Sequence, residues 1–262
     1  MSKLALTAMI FWREVFFDVQ EDFMSKVVAI NGSPRAAKGF TAMLLAPFLE
    51  GIKEAGFEVS EFFPTRMNIK RCNCSEMNCW YKTPGKCQHT DDMDKIYPEL
   101  WQAEILILAT PVYVPLPGEM QDFINRLCPL MQPYLEFHEG RTRARLYQDV
   151  AIKKIVLVAT GGWWEKENMD TVKRIAMELA RDMNVEFAGA LLRPHAAVML
   201  NNGAPTSDAV EIFKTAKQAG YNLIKNSSID NATLDSISRP LIPEEVYRKV
   251  CNGLLAGVAR QQ

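Results

Sequence analysis

Two groups of residues carry side chains suited to chemistry. The first is Asn31-Gly32-Ser33-Pro34-Arg35, continued by Gly39-Phe40-Thr41. The hydroxyls of Ser33 and Thr41 and the guanidinium of Arg35 suit a phosphate monoester, since a planar fork of N–H donors matches phosphate oxygens. Their setting strengthens this. The apolar run Val27–Ile30 reads as a strand buried on both faces, and Gly39-Phe40-Thr41 opens a helical segment. A strand that feeds a helix through a polar turn aims unpaired backbone N–H groups at one spot, where the helix dipole favours negative charge. The plainer reading is a turn whose Ser and Arg face solvent. The loop has neither the Gly-Lys-Ser/Thr ending of a triphosphate loop nor a G-x-G-x-x-G fingerprint.

The second group is cysteine. Cys72, Cys74, Cys79 and Cys87 follow the pattern C-x-C-x4-C-x7-C. Four thiolates this close can hold an iron–sulfur cluster. Zinc is a poorer match, because the usual C-x2-C knuckle is missing. The alternative is four reduced thiols in a covering loop. Cys128 and Cys251 fall on apolar helical faces and read as core. The histidines are His89, His138 and His195. His195 follows the last strand, where a role near a substrate competes with that of an ordinary loop histidine. Arg141, Arg143 and Arg145 suit either a ligand phosphate or a solvated charge run.

The elements that must position these groups follow from periodicity. Helical patterns cover about 39–55, 91–102, 118–131 and 165–183, and another begins near Asp208, which with Glu211 is spaced as a capping box. Pro47 predicts a kink or break in the first of these. Strand patterns cover Val27–Ile30, Phe57–Phe63, Glu104–Ala109, Lys154–Ala159 and Val185–Leu192; residues 132–151 read as irregular. Strands alternating with helices predict a three-layer α/β fold, a five-stranded parallel sheet of order 2-1-3-4-5 with helices on both faces. That order brings three loops to one mouth: Asn31–Arg35, Thr110-Pro111-Val112-Tyr113 and Thr160-Gly161-Gly162-Trp163-Trp164. Proline makes the second rigid, and its Val112 and Tyr113 N–H groups are expected to be free for a planar heterocycle on which Tyr113 stacks or which it covers. Packing of Tyr113 on the next helix is the alternative. The glycines of the third loop permit close backbone approach.

The chain has 262 residues, 48% hydrophobic, with a net charge of −1. That balance predicts no bulk attraction to nucleic acid or to an anionic membrane. No apolar run is long enough to span a bilayer. Six cysteines in a chain of this length do not make a disulfide framework, so reduced thiols and a cytoplasmic location are expected. Residues 1–23 mix charges into an apolar stretch, unlike a signal peptide. They read as an extension before a second possible start at Met24, or as a short amphipathic helix. Residues 24–226 then form the main domain and 227–262 a helical tail.

The GSPR turn with its following Gly-Phe-Thr, the strand-end PVY, the cysteine loop closing in Gly-Lys-Cys before Asp-Asp-Met, and ISRPLIP in the tail resemble the NADPH-dependent FMN reductase family of the flavodoxin-like superfamily. The resemblance implies that Ser33, Arg35, Phe40 and Thr41 hold the FMN phosphate, that Pro111, Val112 and Tyr113 meet the isoalloxazine ring, and that Thr160, Gly161 and Gly162 line its other edge. It implies an oxidoreductase in which flavin N5 takes hydride from NAD(P)H and passes electrons to a small acceptor such as a quinone or a flavin. The alternative is an electron carrier serving a protein partner. An iron–sulfur branch of the family carries a compact four-cysteine motif in this place; here the first pair is closer and the second gap longer. A homodimer or homotetramer is expected from the resemblance alone.

Overall fold

The computed structural model describes residues 25–259. The expected extension over residues 1–23 and the second start at Met24 lie outside the described residues. The strands are β1 (Lys26–Asn31), β2 (Glu58–Phe62), β3 (Ala103–Pro111), β4 (Met131–His138), β5 (Arg141–Leu146), β6 (Lys154–Thr160) and β7 (Glu186–Arg193), followed by the two-residue strands β8 (Leu200–Asn201) and β9 (Ala204–Pro205). The helices are α1 (Phe40–Glu54), α2 (Asn78–Tyr81), α3 (Met93–Gln102), α4 (Gly118–Asn125), α5 (Asp170–Asp182), α6 (Ser207–Lys225), α7 (Asn231–Ser238) and α8 (Glu244–Ala259).

The main sheet is parallel throughout, in the order β2-β1-β3-β6-β7. Counting only its own strands, this is the expected 2-1-3-4-5, and the fold is flavodoxin-like. Its central strands are apolar without interruption because helices cover both faces. The period-2 alternation sorts their side chains into two cores. Val28, Ile30, Leu106, Leu108, Ile155 and Leu157 face α3, α4 and α5. Val27, Ala29, Ile105, Ile107, Val156 and Val158 face α1 and α6. The tail completes the second core: Ile229 and Ile237 are buried in it.

Helices α1 and α6 cross with their backbones touching. A Cβ on Gly51 would lie 1.9 Å from the Lys217 carbonyl oxygen, and one on Gly220 would lie 2.0 Å from that of Phe48. Only hydrogen fits at either position.

Several sequence expectations are corrected. Of the kink or break expected at Pro47, the break does not occur, since helix α1 continues through it. Proline removes one intrahelical bond, but Leu44, Leu45, Phe48 and Ile52 bury a continuous face across that point. The helix expected to reach residue 131 stops at Asn125, and a 3-10 turn at Cys128–Leu130 containing Pro129 leads into β4. Residues 132–151 are not irregular; most form the antiparallel β4–β5 hairpin, turning through Glu139 and Gly140 at positive φ. Tyr134, Leu135 and Phe137 of β4 are exposed, so burial imposes no clean alternation on the sequence. The cap of α6 is Thr206, whose Oγ1 accepts from the Ala209 N–H at 3.2 Å. Asp208 pairs with Arg239 at 2.6 Å instead of forming a capping box.

Candidate functional site

The carboxyl ends of β1, β3 and β6 meet at one open cleft of about 280 Å³. From β1, Asn31 is buried and its Oδ1 accepts from the Ser33 N–H at 3.2 Å, folding the turn back on itself. Asn31 Nδ2 donates to Glu61 at 3.3 Å, and burial raises the Glu61 pKa against that bond. Ser33 is buried, and its Oγ accepts from the Arg35 N–H at 3.3 Å. A Cβ on Gly39 would lie 2.6 Å from Ser33 Oγ, so glycine is required for this close approach.

Helix α1 begins at the cleft wall. Its N-cap is Gly39, no side chain caps it, and its first turn has no acidic residue. Thr41 and Ala42 are buried there. A buried helix start without a capping side chain presents N–H groups and a partial positive charge. Thr41 Oγ1 lies 2.8 Å from Thr160 Oγ1, so α1 is tied directly to the end of β6.

The β3 loop differs from expectation. The Val112 N–H donates to Thr160 O at 2.8 Å, and the Tyr113 N–H donates to Pro115 O at 2.9 Å. Neither is free for a heterocycle. Val112 sits one step beyond the Pro111–Thr160 pair and extends the ladder, and Tyr113 closes the proline turn. The Tyr113 ring is exposed at the rim of the cleft. On β6, the Gly161 N–H donates to Arg193 O at 2.9 Å, and a Cβ at Gly162 would meet nothing within 4 Å.

Ser33, Arg35, Phe40, Thr41, Pro111, Val112, Tyr113, Thr160, Gly161 and Gly162 all line this cleft, joined by Gly39, Ala196 and Ala197. The two alanines escaped sequence reading. They follow a left-handed His195 with φ +39°, and nothing in their side chains suggests chemistry.

His195 is a joint, not a substrate contact. It is fully buried. Its Nε2 accepts from Arg193 Nη2 at 3.0 Å and from the Leu241 N–H at 3.2 Å. Its Nδ1 therefore carries the proton and donates to Trp164 O at 3.1 Å. Burial, then the Arg193 charge, pushes its pKa down to about 4. Trp164 stacks on its ring and donates to Ile242 O at 2.9 Å. Tyr247 of α8 meets the ring edge-on and donates to Gly162 O. The tail is thus fastened to the cleft loops.

Arg141 and Arg143 line a different hollow, with Lys153 and Glu186 at the amino ends of β6 and β7. That is roughly 20 Å from the cleft, given the rise of a seven-residue strand. The three arginines pair with Glu178, Asp182 and Glu136. They are not placed to meet a ligand in the cleft; they form a partly solvated run of charges paired with carboxylates.

Cys72, Cys74, Cys79 and Cys87 gather around one small space of about 10 Å³. Cys128 lines it too, which corrects its assignment to the core: it sits in the 3-10 turn after α4, half-buried. Burial, then Cys79, pushes its thiol up to about 12. Cys251 is half-buried on α8. The loop is anchored by Arg126, which donates to Asp91 at 2.7 and 3.1 Å and to Lys70 O at 2.7 Å. Among the described residues, no three His, Cys, Asp or Glu side chains converge as a single metal ion requires. Nor does any described helix have the length and apolarity to cross a membrane.

Comparison with known proteins agrees with this architecture. An iron-sulfur flavoprotein of Archaeoglobus fulgidus is 35% identical over 106 residues, covering 40% of this chain and 46% of its own. One from Methanocaldococcus jannaschii is 36% identical over 119 residues, covering 44% and 57%. The chain thus spans about half the length of these relatives. An azoreductase from Bacillus anthracis superposes with a TM-score of 0.54 at 17% identity, covering 78% of this chain and 100% of that one. An NAD(P)H:quinone oxidoreductase from Methanothermobacter marburgensis gives 0.50 at 19%, covering 76% and 97%. At those identities the likeness is one of fold. The family described as NADPH-dependent FMN reductase matches residues 25–185, and the chain belongs to that family.

Proposed function

We propose that the protein is an FMN-dependent oxidoreductase that takes electrons from NAD(P)H and delivers them to a small acceptor such as a quinone or a flavin. One observation carries the reading: the α1 start, with no capping side chain, opens beside Ser33, Arg35 and Thr41 on the cleft that Pro111–Tyr113 and Thr160–Gly162 also line. Those residues fit the group. Ser33, Arg35 and the first turn of α1 would hold the phosphate by charge-assisted hydrogen bonds. Gly162 leaves room for a flat ring, and Tyr113 at the rim can cover it. Val112 and Tyr113 act there by shape, since their N–H groups are used internally. Bound FMN supplies hydride acceptance at N5 and onward electron transfer.

The test is an absorbance spectrum of protein purified without oxygen, followed by NAD(P)H oxidation with a quinone. A flavin spectrum and steady turnover are expected. A colourless protein that fails to bind added FMN overturns the reading. A homo-oligomer with the exposed Tyr113 and Trp163 near its contact is the associated proposal, checked by light scattering.

The cysteine cluster favours a second reading, an electron carrier with an iron–sulfur group. The matched relatives bear the name iron-sulfur flavoprotein. Iron and sulfide together with slow NAD(P)H turnover would select it.

A further inference from the structure

The spacing of the loop cysteines suggests Cys72, Cys74, Cys79 and Cys87 as one set. The folded chain brings a fifth thiol to the same place and leaves two buried nitrogens there without partners. Arg126 is 1% exposed and lines the space, yet its Nε–H has no hydrogen-bond partner. His89 lines it too, with a buried Nε2 that is also unpaired. Buried polar groups are rarely left unpaired. An unpaired Arg126 Nε–H and an unpaired His89 nitrogen beside five sulfurs mark a place built for a partner that is not a protein atom.

The five thiols are not equivalent. Cys79 is buried, Cys74, Cys87 and Cys128 are half-buried, and Cys72 is exposed. Cys74 Sγ accepts from the Asn78 N–H at 2.7 Å. The Trp80 Nε1–H donates to Cys128 O at 3.2 Å and fixes the 3-10 turn against the cysteine loop. Cys72 is the most exposed of the five thiols.

We propose that Cys74, Cys79, Cys87 and Cys128, without Cys72, are the ligands of an iron–sulfur cluster, and that Arg126 Nε–H and His89 Nε2–H donate hydrogen bonds to it. The ligand set rests on the second reading above and is independent of FMN binding in the cleft. Four irons take one thiolate each, so the sulfurs surround the cluster and need not converge on one metal. On ligation each thiol releases its proton to solvent as its sulfur binds ferrous or ferric iron, and no electron changes hands.

The test is anaerobic reconstitution of the full chain with ferrous and ferric iron and sulfide. Iron, sulfide and FMN are assayed on one sample, with the paramagnetic resonance spectrum of the reduced protein. The wild type and Cys72→Ser are expected to bind iron and sulfide alike. Cys128→Ser is expected to lose most of both while retaining FMN, which shows that it folds. His89→Leu should keep the iron and lower the cluster's reduction potential, because a bond to it is lost. Full iron with an unchanged spectrum in Cys128→Ser, or loss of iron in Cys72→Ser, overturns the ligand set while the cluster stands. A wild type that takes up zinc only, or no metal, overturns the cluster and the ligand set together. An unchanged potential in His89→Leu removes the donor role of His89.

Discussion

His195 Nε2 accepts a hydrogen bond from Arg193 Nη2 at 3.0 Å, and both residues are fully buried. A proton on Nε2 would face two donors and a buried guanidinium. The folded pKa of about 4 is therefore below the ordinary value of 6.5. The unfolded chain takes up the proton first, so stability is lost as pH falls from about 6.5 toward 4 and is level above that window. The slope approaches about 1.4 kcal/mol per pH unit, up to about 3 kcal/mol in all. Urea denaturation at pH 8, 7, 6 and 5 measures it. The His195→Gln variant should be less stable at pH 8 and show a flatter pH dependence; an equal slope in both proteins would falsify the assignment.

The phosphate cradle makes a second prediction. Arg35→Ala removes a charge-assisted contact of about 1.5–3 kcal/mol, about a 10- to 150-fold loss in FMN affinity. Gly39→Ala should also weaken FMN, because the new Cβ would displace Ser33 Oγ, 2.6 Å from its ideal position. Arg141→Ala, in the hollow at the other end of the sheet, should leave affinity unchanged. Fluorescence quenching during FMN titration reads all three. Equal affinity in Arg35→Ala would remove the phosphate from this loop.

The sheet was legible in the sequence because Val27–Ile30, Ile105–Ala109 and Ile155–Ala159 are buried on both faces and read as continuous apolar runs. The cleft was legible because strand order alone sends three loops to one mouth. What escaped depends on partners distant in sequence. The N–H groups of Val112 and Tyr113 looked free, but one meets Thr160 and the other Pro115. Thr206 lost to Asp208 as a predicted cap because Asp208 and Glu211 have the right spacing, while nothing local shows that Asp208 reaches Arg239. Cys128 sat in an apolar pattern, and only the early end of α4 turns it toward the cysteine loop.

Asp91 and Arg126 form a buried ion pair with side chains 0% and 1% exposed. Burial opposes the charge on Asp91, but the Arg126 bonds and two backbone N–H groups outweigh it and lower its pKa. Asp91→Ala leaves the guanidinium unpaired and should cost about 3–5 kcal/mol. The double variant Asp91→Ala with Arg126→Met should recover part of that loss, since no charge then remains buried. Urea denaturation of the three proteins decides the point. A double variant no more stable than Asp91→Ala would mean that Arg126 acts mainly through its bond to Lys70 O.

Glycines within helices supply a prediction whose sign depends on contact. Helix propensity alone says that alanine stabilises any exposed helical glycine by up to about 1 kcal/mol. That should hold at Gly253 of α8, where a Cβ would meet nothing within 4 Å. At Gly220 the same methyl would lie 2.0 Å from Phe48 O, and at Gly51 it would lie 1.9 Å from Lys217 O. Either substitution forces α1 and α6 apart and should destabilise by about 3 kcal/mol, the upper end of ordinary overpacking. Because α1 also carries the phosphate cradle, separating the helices moves its first turn relative to Thr160, and FMN affinity should fall with stability. Thermal melts with and without FMN measure both effects. A Gly220→Ala protein as stable as Gly253→Ala would show that the backbones do not touch at this crossing.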